Sequence, residues 1–377
     1  MGLEIDQSVS AAAVCKARRS LKPSVFESLN ARLLTLMADT LPTSTRWQGL
    51  RIMAVDGSVL NLPKTPAMFS AFSGQRMAKK QSGLALPMAR FSQLYDVDSG
   101  LTWHAIVQPY ALSESVAAAE HLEHAPAKSL ILYDRGYPSY FLAARHALHQ
   151  RDFCMRVRRK FSPETDLLFN TDQASTIFQL KPNSRAQTLC KEHGMTADTL
   201  TLRAVRVLLK TGVVEVLLTS ILDAEHIPDA DFSDLYALRW SVEGDFRHLK
   251  SRLQLENWTG KRVECIAQDV HARVLAKNLC TTLVLAAQAQ LDAERAQKIA
   301  DNLPVRKRRA KVNATAALHL CKFVLVAFLL QPTLQTLEPL IAKIVSNTNA
   351  ERPGRAFQRK ETIGKSTRYS MAQKQTS

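Results

Sequence analysis

Tyr236-Ala-Leu-Arg239-Trp-Ser-Val-Glu243-Gly-Asp-Phe-Arg-His-Leu-Lys250 is the stretch from which the rest of the chain can be read. On a helix turning about 100° per residue, Tyr236, Arg239, Glu243 and Lys250 fall within an arc of about 60°. Leu235, Leu238, Val242, Phe246, Leu249 and Leu253 fall on a neighbouring arc of about 80°. That apolar stripe predicts a helix over about 233–254 anchored on a sheet. The polar stripe then looks along the edge of the interface rather than straight out to water. Asp245, the competing acid, lies roughly opposite Glu243 and points away, so the geometry selects Glu243. In isolation the same pattern also describes the solvated face of an amphipathic helix.

Two other acids change that balance. Asp56 closes the apolar strand Ile52-Met-Ala-Val55 and is followed by Gly57-Ser58. Asp134 closes a second, Leu130-Ile-Leu-Tyr133, and is followed by Arg135-Gly136-Tyr137. Singly, an Asp before a glycine turn is a turn former. Two strand-end aspartates with one helix-borne glutamate are the set that holds two Mg²⁺ ions about 4 Å apart for in-line phosphoryl transfer. Hard oxygen donors and a phosphate substrate suit Mg²⁺ or Mn²⁺, not zinc.

The surrounding chain agrees with a polyanionic partner. Fifty Lys+Arg against 34 Asp+Glu give a net charge of +16 in 377 residues, which favours nucleic acid first and an anionic membrane surface second. Of that charge, +10 falls in residues 301–377, which hold 14 Lys+Arg and 4 Asp+Glu. A hydrophobic content of 46% supplies a sizeable core and excludes wholesale disorder. The 6 cysteines are scattered without a C-x-x-C, so neither a zinc site nor a disulfide framework is expected. The acidic start MGLEIDQS is no signal peptide, and the apolar run Phe323–Leu330 is far short of a bilayer span of about 20 residues. A soluble cytoplasmic protein, associated with the nucleoid and not with a membrane, is expected.

Along the chain, residues 1–48 read as helical. Residues 49–150 read as strands and helices, with a hairpin turn at Asp98–Gly100 and a buried strand at Ser129–Tyr133. Residues 151–228 are β-rich, with a hairpin across Lys210-Thr211-Gly212, and long helices occupy 229–295 and 296–349. Residues 350–377 form a basic, flexible tail. The expected fold is a mixed α/β core interrupted once by a β-rich insertion, with helical regions at both ends.

These residues resemble the DDE transposases of the bacterial insertion sequence 4 family. The family signature Y-x2-R-x3-E-x6-K is matched at Tyr236, Arg239, Glu243 and Lys250. The segments Ile52–Ser58 and Leu132–Tyr137 are similar to those around the family's two aspartates. Further similarity runs through Pro87–Arg90, Leu255–Gly260 and Arg352–Arg355. The resemblance implies an RNase H-like catalytic core and a metal-binding catalytic triad of Asp56, Asp134 and Glu243. It implies Mg²⁺ as cofactor, with Mn²⁺ able to substitute. Contacts to DNA phosphates would come from Tyr236, Arg239 and Lys250, with Arg135 and Arg247 beside them. The implied partners are double-stranded DNA, as terminal inverted repeats and target, and a second copy of the chain in a synaptic dimer.

Two features depart from the family pattern. Relatives that cut through a hairpin stack a flipped base on a Trp of the insertion, yet Trp47, Trp103, Trp240 and Trp258 all lie outside it. Phe161 or Phe169 is the aromatic available there. The chain also starts almost at the segment resembling Ser10–Leu21, so residues 1–48 read as a remnant of the end-recognition region. Alternatives are therefore a catalytically idle DNA-binding relic that regulates active copies, and an RNase H-like nuclease that hydrolyses without joining strands. The basic run Arg306–Lys311 reads as a non-specific DNA contact.

Overall fold

In chain order, two helices, α1 (Ala11–Ser20) and α2 (Ser24–Ala38), precede strand β1 (Arg51–Asn61). Then follow α3 (Pro66–Phe72), β2 (Gly74–Arg76), β3 (Ala85–Asp96) and β4 (Thr102–Pro109). Helix α4 (Glu114–Glu120), β5 (Ser129–Tyr133), α5 (Tyr140–His149) and β6 (Asp152–Arg156) come next. The computed structural model describes residues 9–38, 47–72, 74–76, 85–330 and 333–351. The Arg352–Arg355 similarity and the expected tail from 352 on lie outside them, while Ala350, expected in that tail, ends a short strand.

The strands are joined as their sequences require. All five residues of β5 and the first five of β1 are buried, as expected of strands flanked on both sides and covered on both faces. β1 runs parallel to β5 and antiparallel to β3, while β3 runs antiparallel to β4. β6 lies parallel to β5. The order β4-β3-β1-β5-β6, three antiparallel strands followed by two parallel ones, is an RNase H-like core. The β3–β4 turn falls at Asp98–Gly100, where the Asp96 carboxylate accepts the Asp98 and Ser99 amides and Gly100 takes a φ of 74°.

Beyond β6 come α6 (Pro163–Asn170), β7 (Ser175–Leu180), α7 (Ser184–Glu192), β8 (Leu200–Leu208) and β9 (Val214–Thr219). β8 and β9 form the hairpin read from the sequence, turning at Gly212 with a φ of 80°. β9 pairs with β6, β8 with β9 and β7 with β8, so these strands extend the core sheet instead of forming a separate layer. The buried Arg203 of β8 ties the connection after β9 in place, donating to the Ile227 carbonyl at 2.9 Å and pairing with Asp229.

The helix expected over 233–254 is present in three pieces. α8 (Asp231–Ala237) and α9 (Trp240–Arg247) are separated by a two-residue turn, and His248–Arg252 winds as a π-helical turn. The remaining elements are α10 (Val263–Ala300), β10 (Ala310–Val312), α11 (Ala314–Leu330), α12 (Leu334–Ser346) and β11 (Thr348–Ala350), which pairs with β10. The chain divides into two units, one taking residues 38–270 and the other 1–37 with 271–377. The first holds the sheet. Within the second, buried Asn278 donates to Asn30 at 2.7 Å, and His271 lies 3.0 Å from Glu27. Among the described residues no helix is long and apolar enough to cross a membrane.

Candidate active site

The pairing register brings the two aspartates together. Val55 faces Tyr133 across the parallel β1–β5 ladder, so Asp56 and Asp134 are the next residues on neighbouring strands. Strands in a sheet lie about 4.8 Å apart. Helix α9 packs on the same face, with the Phe246 ring edge-on to Phe91 at 5.6 Å. Glu243 of α9 and Asp134 are both close enough to Asp56 to act on its carboxyl group.

Each acid is held differently. Asp56 is desolvated and accepts only a short-range bond from the Gly57 amide, at 2.8 Å. Burial, with Glu243 and Asp134 adding to it against the pull of Arg239, pushes its carboxyl up to about 6. Burial also works against ionised Asp134, but the Arg135 amide and Arg156 reverse it and hold that carboxyl below its ordinary value. Arg156 lies 2.6 Å from Asp134 and pairs with Glu215 through its other nitrogen. Glu243 accepts from Arg239 at 3.0 Å.

The other signature side chains turn toward the sheet. Tyr236 donates through its hydroxyl to the Tyr133 carbonyl at 3.2 Å. Lys250 donates to the Val59 carbonyl at 2.6 Å, and burial lowers its ammonium's affinity for its proton. Arg239 is only 2% exposed, with its guanidinium over the rings of Tyr236 and Trp240 at 5.8 and 4.5 Å. Arg135 and Arg247 are exposed on the turn after β5 and on α9, and neither meets an acid among the described residues. Phe161 and Phe169 are half-buried against the core, and Arg159 covers the Phe169 ring at 4.8 Å.

Sequence reasoning missed two residues here. Arg156 closes β6 beside Asp134, a position visible only once the Tyr133–Met155 pairing is known. Trp240, in the sequence only a tryptophan outside the insertion, is 46% exposed with the Arg239 guanidinium 4.5 Å over its ring. Asp245 lies on the far flank of α9 from Glu243, as expected, but it is buried and not in water.

Three carboxylates of hard oxygen character, one of them desolvated and proton-hungry, have the donor chemistry of a divalent cation site. In the described conformation arginines hold two of the three. Among the described residues no three His, Cys, Asp or Glu side chains gather closely enough to hold an ion.

Residues 47–279 match the family model described as a transposase DDE domain. The transposase InsG for insertion sequence element IS4 of Escherichia coli K12 is 26% identical over 275 residues, which are 72% of this chain and 60% of that protein. The putative transposase InsZ of the same strain is 29% identical over 133 residues, 35% of this chain and 44% of that protein. The chain thus spans between about two-fifths and three-fifths of the length of these relatives. A piggyBac transposase, solved in a synaptic complex with hairpin DNA, superposes with a TM-score of 0.43 at 12% identity, covering 91% of this chain and 67% of that one.

Proposed function

The chain belongs to the DDE transposase family, and on that premise we propose that it is the transposase of an insertion sequence. It cuts DNA at the element's terminal inverted repeats and joins the 3′ ends to a target, working as a dimer. The observation that carries this reading is the register placing Asp56 and Asp134 side by side beneath the helix that bears Glu243.

In this reading Asp56, Asp134 and Glu243 are the carboxylates that hold Mg²⁺, with Mn²⁺ able to substitute. A divalent cation bound there polarises the scissile phosphate and lowers the pKa of the attacking hydroxyl. The chain's own groups do the rest. Arg239 and Arg156 sit next to the acids, where they neutralise charge in the absence of metal and would face a bound phosphate. Tyr236 fixes α8 on the end of β5, and Lys250 fixes the π-helical turn on β1. Exposed Arg135 and Arg247 contact the DNA backbone on either side. Trp240 offers a ring face beside the site where the insertion offers no tryptophan.

The test uses the purified chain and a fragment carrying the element's own ends. Mg²⁺-dependent nicking at the end boundary is expected, falling at least about 10³-fold in Glu243→Gln and Asp134→Asn while end binding persists. Binding with no nicking by the unaltered protein would move the assignment to the idle, regulatory relic. Nicking without any joined product would move it to a nuclease.

A further inference from the structure

Helix α9 is gripped on both flanks. Val242 and Phe246 are buried, the Phe246 ring edge-on to Phe91 of β3, and Glu243 projects from the flank near Asp56. On the other flank Asp245, 8% exposed, accepts from the Gln93 side-chain amide at 3.0 Å. Gln93 is fully buried, and its carbonyl oxygen accepts from the hydroxyl of buried Thr102 at 3.1 Å. Gln93 is also the residue that faces Asp56 across the β1–β3 ladder. One strand position therefore stands opposite one carboxylate of the site and binds, through its side chain, the helix that carries another.

We propose that Asp245, Gln93 and Thr102 are positioning residues that set the roll of α9 and thereby the distance from Glu243 to Asp56 and Asp134. The inference rests on the reading of those three carboxylates as the metal site. Apolar side chains hold a helix on a sheet without fixing its rotation closely, because dispersion and burial have little direction. A buried carboxylate accepting an amide whose other end is itself bonded admits one orientation only. A roll of about 20° would move a carboxylate about 6 Å from the helix axis by about 2 Å. That is the difference between a carboxylate that reaches a shared ion and one that does not. Burying an acid is costly, and a leucine in its place would pack on the sheet without that cost. Direction is what the polar bridge adds.

The test compares full-length variants by three measurements: Mn²⁺ affinity from paramagnetic resonance titration, melting temperature, and the Mn²⁺ concentration that half-saturates nicking of the end-bearing fragment. Asp245→Ala removes the acceptor, whereas Asp245→Asn keeps an oxygen facing the Gln93 amide. The double variant Asp245→Leu with Gln93→Met replaces the bridge by apolar contact and takes from the buried Thr102 hydroxyl its Gln93 acceptor. About tenfold weaker Mn²⁺ binding is expected in Asp245→Ala and in the double variant, with Asp245→Asn within about twofold of the unaltered protein. The double variant is expected to melt no lower than Asp245→Ala, which leaves the Gln93 amide without its acceptor. Equal Mn²⁺ affinity in all four proteins would overturn the proposal, as would equal losses in Asp245→Ala and Asp245→Asn. Nicking with uniform Mn²⁺ affinity would defeat this proposal alone. The expected affinity pattern in a protein that does not nick its ends would uphold it and defeat the transposase reading. No Mn²⁺ binding by the unaltered protein would defeat both.

Discussion

Asp56 is the carboxylate of the candidate site whose proton affinity the fold raises. Its carboxyl is pushed up to about 6 by burial, with Glu243 and Asp134 contributing, from an ordinary 3.8. An acid that binds its proton more tightly when folded stabilises the native state fully below its unfolded value, and that contribution is lost as pH rises through the folded one. In the absence of divalent metal, Asp56→Asn should therefore melt with the unaltered protein near pH 4. It should gain on it through pH 6 and be on the order of 2 kcal/mol more stable at pH 7.5. Calorimetry in a chelator reads this directly, and equal stability at pH 7.5 would show that Asp56 is not desolvated in solution. The residue scale is also where the sequence was most informative, because Asp56 and Asp134 each follow an apolar run, although Asp56 stands within β1, which continues through Gly57 to Asn61, and not at a strand end. Arg156 was not visible there. Nothing near it in the sequence marks it, and only the pairing of β5 with β6 puts it beside Asp134.

Among the elements, β5 and the two hairpin turns lie where their residues placed them, whereas β1 runs on past Asp56 to Asn61. The helix over 233–254 was drawn as one continuous cylinder, which it is not. The turn at Leu238-Arg239 and the π-helical turn at His248–Arg252 shift the phase of everything beyond them. Periodicity cannot detect such breaks, because every residue through them keeps right-handed helical dihedrals and the apolar spacing barely changes. The π-helical turn has a task in the fold. It presents the Lys250 ammonium to the Val59 carbonyl, a buried charge-assisted hydrogen bond linking the signature segment to the strand that carries Asp56. Lys250→Met should therefore lose about 1–2 kcal/mol of stability without DNA present, measured by urea denaturation. A variant of unchanged stability that binds DNA ends more weakly would show that Lys250 serves the phosphates and not the fold.

For the whole molecule, a net charge of +16 concentrated toward residues 301–377 makes the electrostatic part of DNA binding large. Affinity for an unrelated duplex should fall by at least about 10³-fold between 50 and 200 mM salt, as counterion release requires. A flat salt response, read by fluorescence anisotropy, would mean that the positive charge is spent inside the protein. Part of it is spent so: Arg309 of the basic run pairs with Asp292 and Glu351, leaving Arg306, Lys307 and Arg308 exposed. The strands after β6 were expected as an interruption of the core. Their pairing into the same sheet was not readable, because local pattern gives strand positions and not strand partners.

The three acids come from residues 56, 134 and 243, the last on a helix made long after both strands. At a translation rate of about 5–20 residues per second, the β1–β5 ladder can leave the ribosome on the order of ten seconds before α9 does. Throughout that interval the nascent chain carries two neighbouring aspartates with neither the third acid nor Arg239. A ribosome that stalls or a message that is cut inside this window yields a polypeptide that lacks one of the three proposed metal-binding acids, so under the proposed function the order of synthesis would leave half-made copies unable to cut DNA.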